Sequence, residues 1–281
     1  MERPSLTGRH LVTAEDAAAF RALTASAAEA SPDGSGPAEG TPPGTVPPAQ
    51  LAAVALRMCE RLLERDGSRG AVAVHGVQRL AVLRPTAVGA PLTSTALIRS
   101  VRPLGSSTAT EVAVRFTAED GACVAESTSL LVHGPRMAVP TRPAPPAGAR
   151  PAVPPPGSSY RVTRDAVRRY AEVSGDRNPI HLSPSAARSA GFEELIAHGM
   201  LTFALTAQHV AAAVGEAEIA ELQLRFSRPL HVPATGAVLT VRGLPAAGGF
   251  ALTAADGEGH AVATGRATLR TPPSDRGTRH A

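Results

Sequence analysis

Within the run Ser174-Gly175-Asp176-Arg177-Asn178-Pro179-Ile180-His181, a carboxylate and an imidazole stand five positions apart. A carboxylate and an imidazole that share one water can take a proton from it and pass one to a neighbouring atom, which is general acid and base work. The residues between them suit a loop that turns both side chains the same way. Gly175 frees the backbone where a helix stops, Pro179 stiffens the loop, and Asn178 can hydrogen-bond it into shape. Taken singly, Asp176 is an ordinary turn or cap residue and His181 an ordinary loop histidine. Their spacing around Asn178 and Pro179 is what points to chemistry. Further on, His198 reads as a packing or positioning residue, and Ser174 and Tyr170 as structural.

These residues need elements to hold them. The segment 137–159 is dominated by Pro and Ala, sustains neither helix nor ladder, and reads as a stiff connector dividing the chain. Across it the sequence repeats weakly. Val12-Thr13-Ala14-Glu15-Asp16 with Phe20 aligns with Val162-Thr163-Arg164-Asp165-Ala166 with Tyr170 at an offset of 150. Val46-Pro47-Pro48 then opens an apolar run as Ala197-His198-Gly199 does, and Leu83-Arg84-Pro85 matches Ser227-Arg228-Pro229. Each half reads as a short helix, an irregular loop, a long apolar helix and several strands. Strands are expected over 71–83, 92–101, 108–117 and 123–132, then over 218–226, 237–242, 250–255 and 261–269. The helix starting at Gly199 is apolar nearly all round and is expected to be buried. The implied class is α+β, a sheet curled around one buried helix in each half. Segment 31–44 is a low-complexity insertion, and 273–281 reads as a disordered tail.

Composition removes several functions. The net charge is +4 and the chain has no lysine, which excludes Schiff-base and phosphate-loop lysines. Two Tyr, six Phe and no Trp, with arginines scattered, argue against nucleic acid. Cys59 and Cys123, the only cysteines, lie far apart and beside no histidine cluster, so neither a metal site nor a disulfide is expected. No stretch has the length of a signal or membrane-spanning segment. A cytoplasmic protein is the expectation.

The run Ser174 to His181, with Gly191-Phe192 and Ala197-His198-Gly199-Met200, closely resembles the MaoC-like dehydratases, or (R)-specific enoyl-CoA hydratases, which have the hotdog fold. The likeness in motif covers about 162–214, and the repeat extends it over the rest. It implies a double hotdog: a degenerate N-terminal domain over 1–136, the linker 137–159, and a catalytic domain over 160–272. It implies Asp176 and His181 as the acid/base pair adding water across C2–C3 of an acyl thioester. The Gly199 N–H would be the oxyanion donor, and Asn178 would shape the loop or touch substrate. No cofactor or metal is expected, because coenzyme A or phosphopantetheine is part of the substrate. The partner is an acyl thioester on coenzyme A or an acyl carrier protein, in fatty-acid or polyketide metabolism, with no membrane or nucleic acid. One departure is Ser183-Pro184, where many relatives carry an acid two places after the histidine. The pair suits a helix N-cap with Pro at N1.

The first half keeps none of these parts. Ser26 stands in place of Asp176, Ser31 in place of His181, and Pro48, which has no N–H, near Gly199. One site per chain is expected, as a monomer of two hotdogs or a homodimer. Two rivals are a hotdog thioesterase, disfavoured because 200–214 contains no acid, and a non-catalytic thioester-binding or partner subunit.

Overall fold

The structure, a computed structural model, describes residues 4–28, 44–67, 72–134, 157–214 and 219–270. The first half runs β1 (Ser5–Leu11), α1 (Ala14–Ala27), α2 (Pro48–Arg65), β2 (Val72–Val82), β3 (Pro91–Leu104), β4 (Ser107–Ala118) and β5 (Cys123–Gly134). The second runs β6 (Gly157–Val162), α3 (Arg164–Ser174), α4 (Pro179–Leu182), α5 (Pro184–Ser189), α6 (Gly199–Val214), β7 (Ile219–Phe226), β8 (Ala237–Ala246), β9 (Gly249–Ala255) and β10 (Ala261–Leu269).

Local chemistry starts the two short helices alike. Thr13 and Thr163 cap α1 and α3, their hydroxyls accepting from the Asp16 and Ala166 N–H groups at 3.0 Å each. Caps of this kind each contribute about 1 kcal/mol. Strands bury alternate residues, as in β3, where Leu92, Ser94, Ala96 and Ile98 point inward. The ten strands form one sheet in the order β1-β3-β4-β5-β2-β7-β10-β9-β8-β6, all antiparallel. Each half supplies five strands in the same internal order, so the two are related by a pseudo-twofold axis through the β2–β7 seam.

The seam pairs Val77 with Arg225 through Ala81 with Glu221. Arg79 and Glu221 form an ion pair across it at 2.6 Å, and Arg266 joins at 3.2 Å. Arg79 is partly exposed, and an exposed pair contributes only about 0–1 kcal/mol. The continuous ladder and a core shared by both halves therefore hold the seam. That core includes Leu51 and Met58 of α2 beside Leu201 and Phe203 of α6. The equivalent residues Phe20 and Tyr170 meet edge to face, with centroids 6.3 Å apart.

The repeat extends to individual hydrogen bonds. The Leu83 and Arg84 N–H groups donate to the Val124 carbonyl, and those of Ser227 and Arg228 to Val262. Isolated bridges Thr45–Ala87 and Ile196–His231 repeat in the same way. Three elements depart from the sequence expectation: the edge strands β1 and β6, and the short helix α4, which carries His181 where a loop is expected. β6 starts at Gly157, inside the segment that composition marks as connector, because an edge strand needs to pair on one side only. The rest of the connector, positions 31–43 of the insertion and the tail lie outside the described residues.

Candidate active site

α3 ends where the loop chemistry requires. Gly175 adopts φ +76°, the left-handed conformation that glycine takes without steric cost, and its N–H returns to the Ala171 carbonyl at 3.0 Å. The Ser174 hydroxyl donates to the Tyr170 carbonyl at 2.6 Å and accepts from the Asp176 N–H at 3.2 Å. Asp176 Oδ1 in turn accepts from the Asn178 N–H at 3.1 Å, an Asx turn. Asn178 caps α4 by accepting from the Ile180 N–H, and its amide donates to the Ala73 carbonyl of β2 at 3.3 Å. Asn178 therefore ties the loop to the other half of the molecule.

His181 sits in α4 with its ring buried. Its Nδ1–H donates to the Ile196 carbonyl at 2.8 Å, which leaves Nε2 as an acceptor. Ile196 is itself pinned, since Ala197 N–H donates to Leu230 O at 2.8 Å and Val232 N–H to Leu195 O at 2.7 Å. Burial pushes the His181 pKa below its ordinary value, against the charge of Asp176 and the Ile196 carbonyl. A neutral imidazole with a free lone pair is the form a base needs.

His198 stacks on His181 with centroids 3.9 Å apart, and its Nε2–H donates to the Asp176 carbonyl at 3.1 Å. Burial, then the neighbouring His181, hold His198 well below the ordinary histidine range. It fixes the loop backbone, in keeping with a positioning residue. Ser183 accepts from the Ala186 N–H at 3.3 Å with Pro184 at N1 of α5, the cap expected of that pair.

α6 begins at Gly199, and the His198 carbonyl accepts from Leu201 and Thr202. The Gly199 N–H thus falls in the first turn, where no carbonyl of the helix can reach it and the dipole favours negative charge. A cavity of about 750 Å³ meets all of these groups: Asp176, Asn178, His181 and Gly199 line it. Its wall continues into the first half through Leu56, Glu60 and Leu63 of α2 and Leu131 of β5. Sequence reasoning missed two of its residues. Glu60 escaped because only the second long helix carries the motif and was searched for acids. His75 escaped because nothing in its spacing marks it, although the following Gly76, a glycine within a strand, signals a bulge.

Ser26 forms no second site among the described residues. Ser26 lies on α1 with its hydroxyl donating to the Leu23 carbonyl at 2.9 Å, and Ser31 lies outside the described residues. Asp176, His181 and His198 each offer one donor atom within 4.8 Å of the others, a two-histidine, one-carboxylate set of the kind that can hold a divalent ion.

Two antiparallel half-sheets, each curled on a long buried helix and sharing one cavity, define a double hotdog protein with a carboxylate–imidazole loop in one half. A family model described as MaoC like domain matches residues 149–244. The 3-hydroxyacyl-thioester dehydratase X of Mycobacterium tuberculosis is 38% identical over 139 residues, 48% of this chain and 48% of that protein. A UPF0336 protein of Clavibacter michiganensis is 31% identical over 130 residues, 41% of this chain and 87% of that one. The crystal structure of HtdX of M. tuberculosis superposes with a TM-score of 0.75 at 22% identity, covering 95% of this chain and all of that one. The chain belongs to the MaoC-like dehydratase family. It spans about half the length of several curated relatives it matches, dehydratase X among them. Among the described residues, no helix is long and apolar enough to cross a membrane.

Proposed function

We propose that this chain is a hydro-lyase that interconverts a trans-2-enoyl thioester and the (R)-3-hydroxyacyl thioester. The observation that carries the reading is the fixed pair: Asp176 oriented by Asn178 N–H, and His181 oriented by Ile196 O, both on the cavity that Gly199 also lines. A water held by the pair gives its oxygen to C3. One of the two side chains takes the water proton, and a proton passes from the pair to C2, so that H and OH are added and nothing is left over. The negative charge that gathers on the thioester oxygen in between is met by the Gly199 N–H. No step needs a cofactor, and the thioester carrier belongs to the substrate.

The carrier is coenzyme A or an acyl carrier protein. The exposed arginines Arg102, Arg225 and Arg228 at the cavity support an anionic one. The acyl chain fits against Leu63, Leu131 and Met200. Because both halves line the cavity, one chain supplies a complete site, as monomer or homodimer, and cytoplasmic placement suits its two free thiols.

Glu60 favours a second reading. An acid on the long helix of the first half lines the same cavity, which is where a hotdog thioesterase would need one. Incubation with crotonyl-coenzyme A separates the readings. Loss of the enoyl absorbance with formation of 3-hydroxybutyryl thioester supports hydration. Release of free thiol and crotonate would instead assign hydrolysis, and neither change would leave a binding protein.

A further inference from the structure

The N-terminal half has lost its own acid/base loop, yet one of its polar side chains reaches the site. β2 carries a bulge: His75 pairs with Leu131 and Val77 with Leu130, leaving Gly76 as the extra residue. In an unbroken strand the inward face of Leu80 and Gln78 would continue to position 76, and His75 would face away. The extra residue shifts the alternation by one and turns His75 onto the inward face. There its ring forms part of the cavity wall and lies 5.8 Å from that of Phe226, which lines the same cavity. Its Cβ comes within 3.4 Å of where a Cβ on Gly199 would stand, so it flanks the start of α6. Nε2 is buried with no partner at normal hydrogen-bond length and angle, and Gln78 is the polar side chain that interacts with the ring. A buried imidazole nitrogen left unpaired costs about 1–3 kcal/mol, a penalty that asks for a compensating role.

The geometry points to His75 as a substrate-contacting residue: its neutral imidazole N–H is a second donor to the thioester carbonyl oxygen, beside the Gly199 N–H. This rests on the reading of the cavity as a thioester site and adds to it a group from the half without catalytic loop residues. Burial pushes the His75 pKa down to about 4, against the opposing influences of Asp176 and Gln78. The ring is therefore uncharged at neutral pH, and a neutral imidazole polarises a carbonyl while avoiding the desolvation of a cation. A bulge beside a site is a recurrent way to aim a side chain at it.

The test uses the full chain with His75→Phe, which keeps a ring but no donor, and His75→Gln, which keeps a donor. Crotonyl-coenzyme A is bound to each in an Asp176→Asn background to slow turnover, and the thioester carbonyl stretch is recorded by infrared difference spectroscopy. With His75 present the band moves to lower frequency on binding. His75→Phe loses a large part of that shift and His75→Gln retains it, and in the active background kcat falls by about 10²-fold for His75→Phe with KM little changed. An identical band position in the folded His75→Phe and His75 proteins overturns the assignment. The infrared reading does not need turnover. A protein that binds the thioester with a His75-dependent shift but never hydrates it would sink the hydratase reading and leave this one standing. Should His75→Phe unfold, a folded His75→Ala protein whose band position matches that of the His75 protein would overturn it equally.

Discussion

The two halves share a fold, and three pairs of equivalent residues show how the second half comes to carry a loop that the first half lacks. α3 stops at Ser174 because Gly175 accepts a positive φ, whereas the matching Ala25 lies within α1, which runs on to Ala27. Where the second half leaves the helix for its Asp–Asn–His loop, the first half stays helical as far as Ala27. Thr24 and Ser174, at equivalent positions, both return a hydroxyl to the preceding turn, but only Ser174 also receives the next acidic residue's N–H. At the long helices, Gly199 offers an N–H where Pro48 has none. The first half keeps a buried core and the Thr13 cap of α1. It also retains the wall of the cavity and His75.

The largest expected effect is on the loop itself. Asp176→Asn and His181→Ala each lower turnover by about 10²–10⁴ with far-ultraviolet circular dichroism unchanged, the range for removing a positioned acid or base. Near-normal turnover in either would erase the distinction between the halves. Next comes Gly175→Ala. A Cβ there is strained at φ +76° and meets the Arg57 side chain at 2.9 Å, so urea unfolding loses about 1–2 kcal/mol and turnover falls with the displaced loop.

Acid should act on both halves. Burial lowers the folded-state pKa of His10, His75 and His133 in the first half, and of His181, His198 and His209 in the second, below the ordinary 6.5. The unfolded chain therefore binds more protons as pH falls from about 6.5 towards those lowered values, and stability declines over that window while staying flat above it. Thermal melts at about pH 5 and pH 7.5 should differ more for the wild type than for His75→Phe, which has one fewer buried imidazole to charge. An equal difference would mean that His75 titrates normally. Chelation sharpens a separate point. Dialysis against a strong chelator leaves hydration unchanged if Asp176, His181 and His198 act as acid, base and support, whereas a loss restored by a divalent ion would assign them to metal. The smallest effect is Ser26→Ala, which should leave turnover intact and stability within about 0.5 kcal/mol, as for an exposed side chain bonded only to its own helix.

Much of this was legible in the sequence because it is written in local signals. Thr13 and Thr163, Pro48 and Gly199, and the Arg-Pro pairs after β2 and β7 recur at a near-constant offset, and eight strands follow from runs of apolar residues. The edge strands were not legible. Ser5–Leu11 has few apolar residues, and Gly157–Val162 continues a Pro-rich segment. The Asp–Asn–His loop was visible from its own residue types. His75 was not, because a bulge moves it across the sheet and no spacing in one strand reveals a partner from the other half. Glu60 was hidden for the same reason: the two long helices face one cavity only after the β2–β7 seam is formed.

In the proposed reaction Asp176 and His181 hold one water on one face of the bound enoyl group. Hydration of a trans-2-enoyl thioester in deuterated water, with determination of the configurations at C2 and C3, tests it most directly. Both new substituents should arrive from the same face, giving syn addition and the (R)-3-hydroxyacyl product. Anti addition, or the (S)-product, would contradict a shared water beside Gly199 even if the enzyme proved to be a hydratase.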